Sequence, residues 1–302
     1  MERPDAAPSR ALVLLVWATA AATLLMLTLG GLVTSLKAGL AYLDWPTSGG
    51  YYLNPPEWLK ERDTMVEHGH RLMGYLLGLL GLVQLVWLLA HPPRRYLRWM
   101  MGGAFLLGAL QGYLGGQRVV ERSSLLAFVH GCTGQAFLCT VLAIAYLASR
   151  PTRPPSGDDA RPMLAVAFTA FLLVFFQVAV GAMRRHFGGD FALQAHLLGA
   201  VLVTTSILAV VVIAVARYRH DRALLRSALA LGALLFVQIG LGFLALGALE
   251  GYGGGRHTLA EALLPSVHQV VGATTLCLSM LLTLLALRRS IGPAPRLVGS
   301  AA

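Results

Sequence analysis

Residues 65–80 read MVEHGHRLMGYLLGLL. A carboxylate, two imidazoles and a guanidinium open a run that then stays apolar to about residue 90. Ionisable groups at the mouth of an apolar helix carry a desolvation cost, so each needs a partner, water or a task. On a helix Glu67 and His70, three residues apart, point to nearly the same side, about 60° from one another. His68 lies some 160° from His70 and is expected to face outward or into a loop, as a bystander. Glu67 and His70 are therefore the candidates for chemistry.

The surrounding sequence is that of a membrane protein. Of 302 residues 56% are hydrophobic and 13% charged, with a mean hydropathy of +0.66. That excludes a soluble domain of this length, whose surface would need far more charge. Eight runs are long enough to span a bilayer, at about 11–34, 66–90, 96–118, 124–148, 162–183, 191–215, 223–249 and 262–287. The expected fold is an all-α membrane protein of eight transmembrane helices. The first run is too long for the apolar core of a signal peptide and reads as the first span. The net charge of +10 reflects the cytoplasmic bias of membrane proteins, with no need for a nucleic-acid partner. Fifteen Lys and Arg lie outside the spans on the side of the two termini and eight on the other, which predicts cytoplasmic termini. The loop 35–65 then lies outside, and the even-numbered helices enter from outside. A bacterial cell membrane is the simplest home. Cys132, Cys139 and Cys277 fall inside apolar runs and read as small core residues, with no disulfide or thiolate metal spacing.

The chain repeats itself. QGYLGGQR, starting at Gln111, is followed by His130 after nineteen residues, and QVAVGAMRR, starting at Gln177, by His196 after nineteen. QIGLGF, from Gln238, leads to His268, and LGGLVTS in the first span leads more loosely to His70. Helices 1–4 and 5–8 thus read as two copies of one four-helix unit, residues 1–150 and 151–302, in a parallel repeat about an axis along the membrane normal.

Nine histidines are present. His68, His91, His186, His220 and His257 fall in loops or at helix ends, where water is expected to satisfy them. His70, His130, His196 and His268 open helices 2, 4, 6 and 8, near the outer face. Four imidazoles at equivalent places in a repeat suit a planar metal macrocycle, which takes one ligand above and one below its iron. The expected pairs are His70 with His130 and His196 with His268. Gly74, Gly134, Ala200 and Gly272 follow each histidine by four residues, where a flat ring would find room. Zinc fits less well, because no Cys or carboxylate completes a four-ligand set. Glu67 is the one carboxylate within reach; three residues before His196 and His268 stand Leu193 and Pro265. The two sites are built alike and equipped differently, as expected if one holds a haem passively and the other acts on something. Three roles stay open for Glu67: a helix N-terminal carboxylate favoured by the macrodipole, a partner orienting an imidazole, or a proton acceptor at the macrocycle's edge.

Glu67-x-x-His70-Arg71, the three later helix-opening histidines and AGLAYLDWPTSGG (residues 38–50) together resemble the haem A synthase family over essentially the whole chain. The resemblance implies an oxidoreductase serving cytochrome oxidase assembly, in which the C8 methyl of haem O is hydroxylated twice and loses water to give the formyl group of haem A. It implies that residues 1–150 hold the substrate between His70 and His130 with Glu67 as the essential acid. It also implies a resident haem b between His196 and His268. Some relatives carry a cysteine pair in the first outer loop; this loop has none. Arg71, Arg118, Arg184 and Arg185 at outer helix ends are candidates for the haem propionates, against simple snorkelling. The loop around Trp45 and Trp58 either covers the substrate site or anchors at the interface. The electron donor is unidentified, and contact with haem O synthase and a homo-oligomer are left open. Two other readings compete. A di-haem b-type electron carrier would stack its haems across the bilayer, whereas these histidines lie near one face. A proton-coupled transporter would need charges at mid-membrane, and the runs have none.

Overall fold

The computed structural model describes residues 8–91, 93–150, 159–250 and 258–291. His257 and, of the arginines counted in the C-terminal tail, Arg296 lie outside them. Eight helices follow in chain order: α1 Arg10–Ser35, α2 Arg62–Ala90, α3 Arg95–Val120, α4 Ser124–Ala148, α5 Arg161–Phe187, α6 Asp190–Arg217, α7 Arg222–Glu250 and α8 Leu259–Ser290. No end differs from the expected spans by more than four residues, because apolar length fixes them. Seven of the helices are long and apolar enough to cross a membrane. The exception, α3, has the length, but six glycines and two glutamines dilute its hydropathy. It packs along α2 and α4 and runs the same course. The described residues contain no strand, and the eight-helix fold expected from the sequence holds.

Capping marks several starts. Ser9 and Ser123 accept hydrogen bonds from Leu12 and Leu126, and Thr258 with Glu261 forms a full capping box. The α5–α6 turn is only Gly188 and Gly189, with φ of 71° and 84°, backbone that only glycine adopts freely. The corresponding α1–α2 connection runs from residue 36 to 61.

Helix neighbours repeat as the sequence does. α1 packs on α2 and α4, α2 on α3, and α3 on α4, closing a ring; α5–α8 close a second ring with the same adjacencies. Between the rings lie the contacts of α4 with α8, α1 with α8 and α4 with α5. Exchanging each helix for the one four places away returns the same set, which is consistent with the parallel two-fold read from the sequence. All four helix-opening histidines sit at the end of the bundle that carries the 36–61 loop. The apolar core fills the other end: one cluster joins α4 to the second ring around Met163, Ile207, Leu231 and Leu276. Another fills the first ring around Leu12, Val16, Leu97 and Ile144. Cys139 and Cys277 are buried free thiols in the first of these, as expected, and Cys132 is half-buried.

A polar stitch joins the rings at the loop end. Arg185 on α5 donates to the Gly31 carbonyl at 2.9 Å and also to Ser35 Oγ and Gln269 Oε1. Ser266 donates to Ser35 at 2.9 Å. Replacing Arg185 by Met strips three acceptors of their donor, at about 1–3 kcal/mol for each that stays buried and unpaired. The variant is expected to melt several degrees lower in detergent with unchanged helical circular dichroism.

Candidate functional site

Each of the four histidines stands on a glycine of the preceding helix. A Cβ placed on Gly30 would lie 3.0 Å from His70 Cε1, and one on Gly115 3.1 Å from His130 Cε1. Gly181 and Gly242 meet His196 and His268 in the same way, at 3.1 and 3.2 Å. Any side chain there would push the ring away, so the glycines set where the imidazoles stand. In every case Nδ1 is buried and lacks a well-aligned hydrogen bond, the backbone of Met26, Gln111, Gln177 or Gln238 being the acceptor within reach of the imidazole. An unpaired buried imidazole nitrogen costs about 1–3 kcal/mol. Four equivalent, poorly paired ones point to something that pairs with imidazole. His196 and His268 face one another with ring centroids 6.2 Å apart and planes at 76°, and His130 lies near enough to act electrostatically on His70.

The small residues one turn deeper meet side chains of the preceding helix, and on α6 it is Gly199, the neighbour of the expected Ala200, that does so. Gly134, Gly199 and Gly272 lie against the amides of Gln111, Gln177 and Gln238, and Gly74 against Met26. Gln177 and Gln238 donate to the carbonyls of His196 and His268 at 2.8 and 3.0 Å, and Gln111 donates to Thr133. The glutamines thus lock each histidine-bearing helix to its neighbour. The glycines that cradle the rings follow those glutamines by four residues: Gln111 and Gly115, Gln177 and Gly181, Gln238 and Gly242. This Gln-x-x-x-Gly repeat was visible in the sequence and points to the cradle, with Met26 and Gly30 as its degenerate first copy.

Glu67, His68 and Arg71 turn to the loop. Glu67 and Arg71 are 1% and 9% exposed. Glu67 Oε1 accepts from Arg71 Nη2 at 2.6 Å, and Oε2 accepts from the Tyr42 amide at 3.0 Å. Arg71 donates further to the carbonyls of Asp44 (2.7 Å), Tyr42 (3.2 Å) and Thr47 and to Ser48 Oγ (3.3 Å). No hydrogen bond joins Glu67 to His70. His68 faces away from His70 as expected, but water is not what satisfies it. It is fully buried, with Nδ1 2.9 Å from Ser48 Oγ and Nε2 3.1 Å from the Leu53 carbonyl, and with Trp58 4.8 Å away edge-on. Asp44 shapes the loop tip, accepting from Thr47 Oγ1 at 2.6 Å and from the Gly49 and Gly50 amides at 2.8 and 2.9 Å. Burial works against its charge, but these three bonds outweigh it and hold the carboxyl down to about 2.

The remaining arginines differ from one another. Arg118 donates to the Gly39 carbonyl at 3.2 Å and lies close enough to His70 and His130 to act on both. Arg185 is engaged in the stitch between the rings, and Arg71 in the loop. Arg184 makes no side-chain hydrogen bond or ion pair among the described residues. His186, expected in water, is half-buried at the ring interface, with Nε2 3.9 Å from where a Gly131 Cβ would be, beside His130.

A metal–imidazole bond of about 2.0 Å on each side of one iron, plus about 1.1 Å from nitrogen to ring centre, puts two centroids about 6 Å apart. The His196–His268 separation of 6.2 Å fits a group ligated from both faces. Among the described residues no three His, Cys, Asp or Glu side chains gather as a metal cluster.

Residues 57–194 match the COX15-CtaA family, described as cytochrome oxidase assembly protein. The chain is similar to the haem A synthase of Jannaschia sp. (strain CCS1), 31% identical over 43% of this chain and 36% of that protein. The haem A synthase of Methylobacterium sp. (strain 4-46) is 32% identical over 49% of this chain and 42% of the relative. That of Symbiobacterium thermophilum is 29% identical over 58% and 59%. The matched region thus spans between about a third and three fifths of these relatives' own length. The resemblance to the haem A synthase family read from the sequence is borne out by both comparisons.

Two outcomes follow from the loop's geometry. Arg71→Ala leaves Glu67 buried and uncompensated and is expected to destabilise by about 3–5 kcal/mol, while Glu67→Ala with Arg71→Ala costs less than the two single changes together, by thermal unfolding. The Asp44 carboxyl is depressed from 3.8 to about 2 on folding. Its contribution is therefore whole above about pH 4 and lost as the pH falls towards 2. Proteolysis of the loop at graded pH should show this window in the parent chain and none in Asp44→Asn.

Proposed function

We propose that this chain, similar to haem A synthases, is itself a haem A synthase: an oxidoreductase that converts the C8 methyl of haem O to a formyl group. The observation that carries the reading is the set of four imidazoles in two pairs, each on its glycine and each with a buried Nδ1 that lacks a well-aligned hydrogen bond. In the first ring, residues 1–150, His70 and His130 flank the substrate haem O. Glu67 is the acidic group on which turnover depends, and Arg118 is the cation best placed for a propionate. In the second ring, residues 151–302, His196 and His268 hold a resident haem b, whose iron supplies one-electron redox chemistry. Two successive hydroxylations of the methyl give a geminal diol, which loses water to leave the formyl group of haem A. What this chain's residues do is hold the macrocycle by its ring faces, fix its position through the glycines and glutamines, and close the first site with a long α1–α2 loop whose α5–α6 counterpart is two glycines.

The membrane setting is part of the proposal: a bacterial cell membrane, both termini cytoplasmic, and the two sites side by side near the outer face. That arrangement favours an enzyme over a di-haem carrier, which needs its haems at different depths to move charge across the bilayer.

Co-expression with a haem O supply, followed by haem extraction, tests the reading. Haem A is expected; a protein that binds haem and never yields haem A would be the carrier instead. Glu67→Ala should lose product and keep the second-ring haem b. His196→Ala should deplete bound haem b, and unchanged haem content in that variant overturns the pairing.

A further inference from the structure

The 36–61 loop does not rest on top of the bundle; it reaches down between α2 and α3. Tyr75 donates to the Pro46 carbonyl, and Tyr75 lies five residues beyond His70, about 7.5 Å further along α2. On the other side the Trp45 indole lies against α3 at Gly116, where a Cβ would come within 2.3 Å of Cδ2 and 2.5 Å of Cε2. Gly116 adjoins Gly115, the residue on which His130 stands. The Trp45–Pro46 tip is therefore wedged at the level of both first-ring imidazoles. It is held from behind by the Arg71 and His68 bonds to residues 42–53 and by the Tyr42 amide on Glu67. The corresponding α5–α6 connection of the second ring is only Gly188–Gly189, too short to reach down between helices.

We propose that Trp45 is a positioning residue for the reaction: its uncovered face forms the side wall of the first-ring site. There it holds the macrocycle in one orientation through both oxidations and retains the half-oxidised alcohol until the second is complete. Trp45 is 38% exposed, so part of the indole stays uncovered, at a point on α3 adjoining the glycine on which His130 stands, and an indole offers a flat apolar surface to a conjugated ring. Glu67, His68 and Arg71 act through it by seating the loop. The proposal rests on the reading that His70 and His130 take the substrate.

The experiment uses the full chain with haem O supplied. Trp45→Ala is expected to raise KM for haem O and to lower the ratio of formyl to hydroxymethyl product at least tenfold, with second-ring haem b per chain unchanged. Trp45→Phe should restore most of that ratio, and His68→Phe, which releases the loop from behind, should lower it as Trp45→Ala does. Trp45→Cys, labelled with an impermeant maleimide, should be protected when the first site is loaded with haem O or with haem b. Parental product ratios in Trp45→Ala together with haem-independent labelling of Trp45→Cys overturn the wall. Protection by haem without any haem A formed keeps the wall and sinks the enzyme reading. Normal haem A with no protection does the reverse.

Discussion

The loop end of the first ring depends on one ion pair, Glu67 with Arg71 at 2.6 Å, out of water on both sides. A buried pair is a poor source of net stability, since desolvation of two charges offsets most of their attraction. Its effect is specificity. The i, i+4 spacing with Glu ahead of Arg lets α2 hold the pair in register at little conformational cost. Charged and fixed, the guanidinium collects the carbonyls of residues 42, 44 and 47, and the carboxylate collects the Tyr42 amide. A neutral pair of residues could not draw so many loop peptides to one point. The order of the whole 36–61 segment follows from those two side chains, with His68 supplying a second attachment at Ser48 and Leu53.

Beneath the loop the construction is symmetric. Odd helices present a glycine and, one turn before it, a glutamine in three of the four cases; even helices present a histidine and, close to it, a small residue. The glycine fixes the ring, the glutamine fixes the helix, and neither contact involves the loop. The same frame is therefore built twice without regard to what closes it. The asymmetry is confined to connections: a long segment carrying Asp44, Trp45 and Trp58 on one side, and two glycines with positive φ on the other.

Much of this was legible in the sequence. Apolar run length gave all eight helices, and the recurrence of histidine after a Gln-bearing helix is consistent with the two rings of helix contacts. The glycine cradle was encoded in Gln-x-x-x-Gly but masked by the abundance of glycine in apolar helices, where packing alone accounts for it. The clamp was hidden for a different reason. His68 and Arg71 find their loop partners fifteen or more positions away, mostly backbone carbonyls, which leave no residue-type signal. Helical angles correctly turned His68 away from His70 but could not say that a buried loop waited on that side. The same angles put Glu67 on the His70 face, and the Arg71 guanidinium and the Tyr42 amide drew its carboxylate elsewhere.

The loop also bears on which ring should take the substrate. A resident group, once bound, needs only ligands and a close-fitting cleft, and on the α5–α6 side of the second ring the connection is only two residues. A substrate that must arrive, be changed twice and leave needs a wall that can be set aside and restored. Such a wall cannot be a transmembrane helix, whose displacement would break the glycine and glutamine contacts that position the imidazoles. It has to be a segment whose attachments are separate from the ligand frame. The 36–61 loop meets that condition: its bonds run to Glu67, His68, Arg71, Tyr75, Arg118 and the Gly116 notch, and none runs to His70 or His130. Under the proposed function, this separation of closing elements from holding elements is what would let one fold support a passive site and a reacting one, with the first ring as the reacting one.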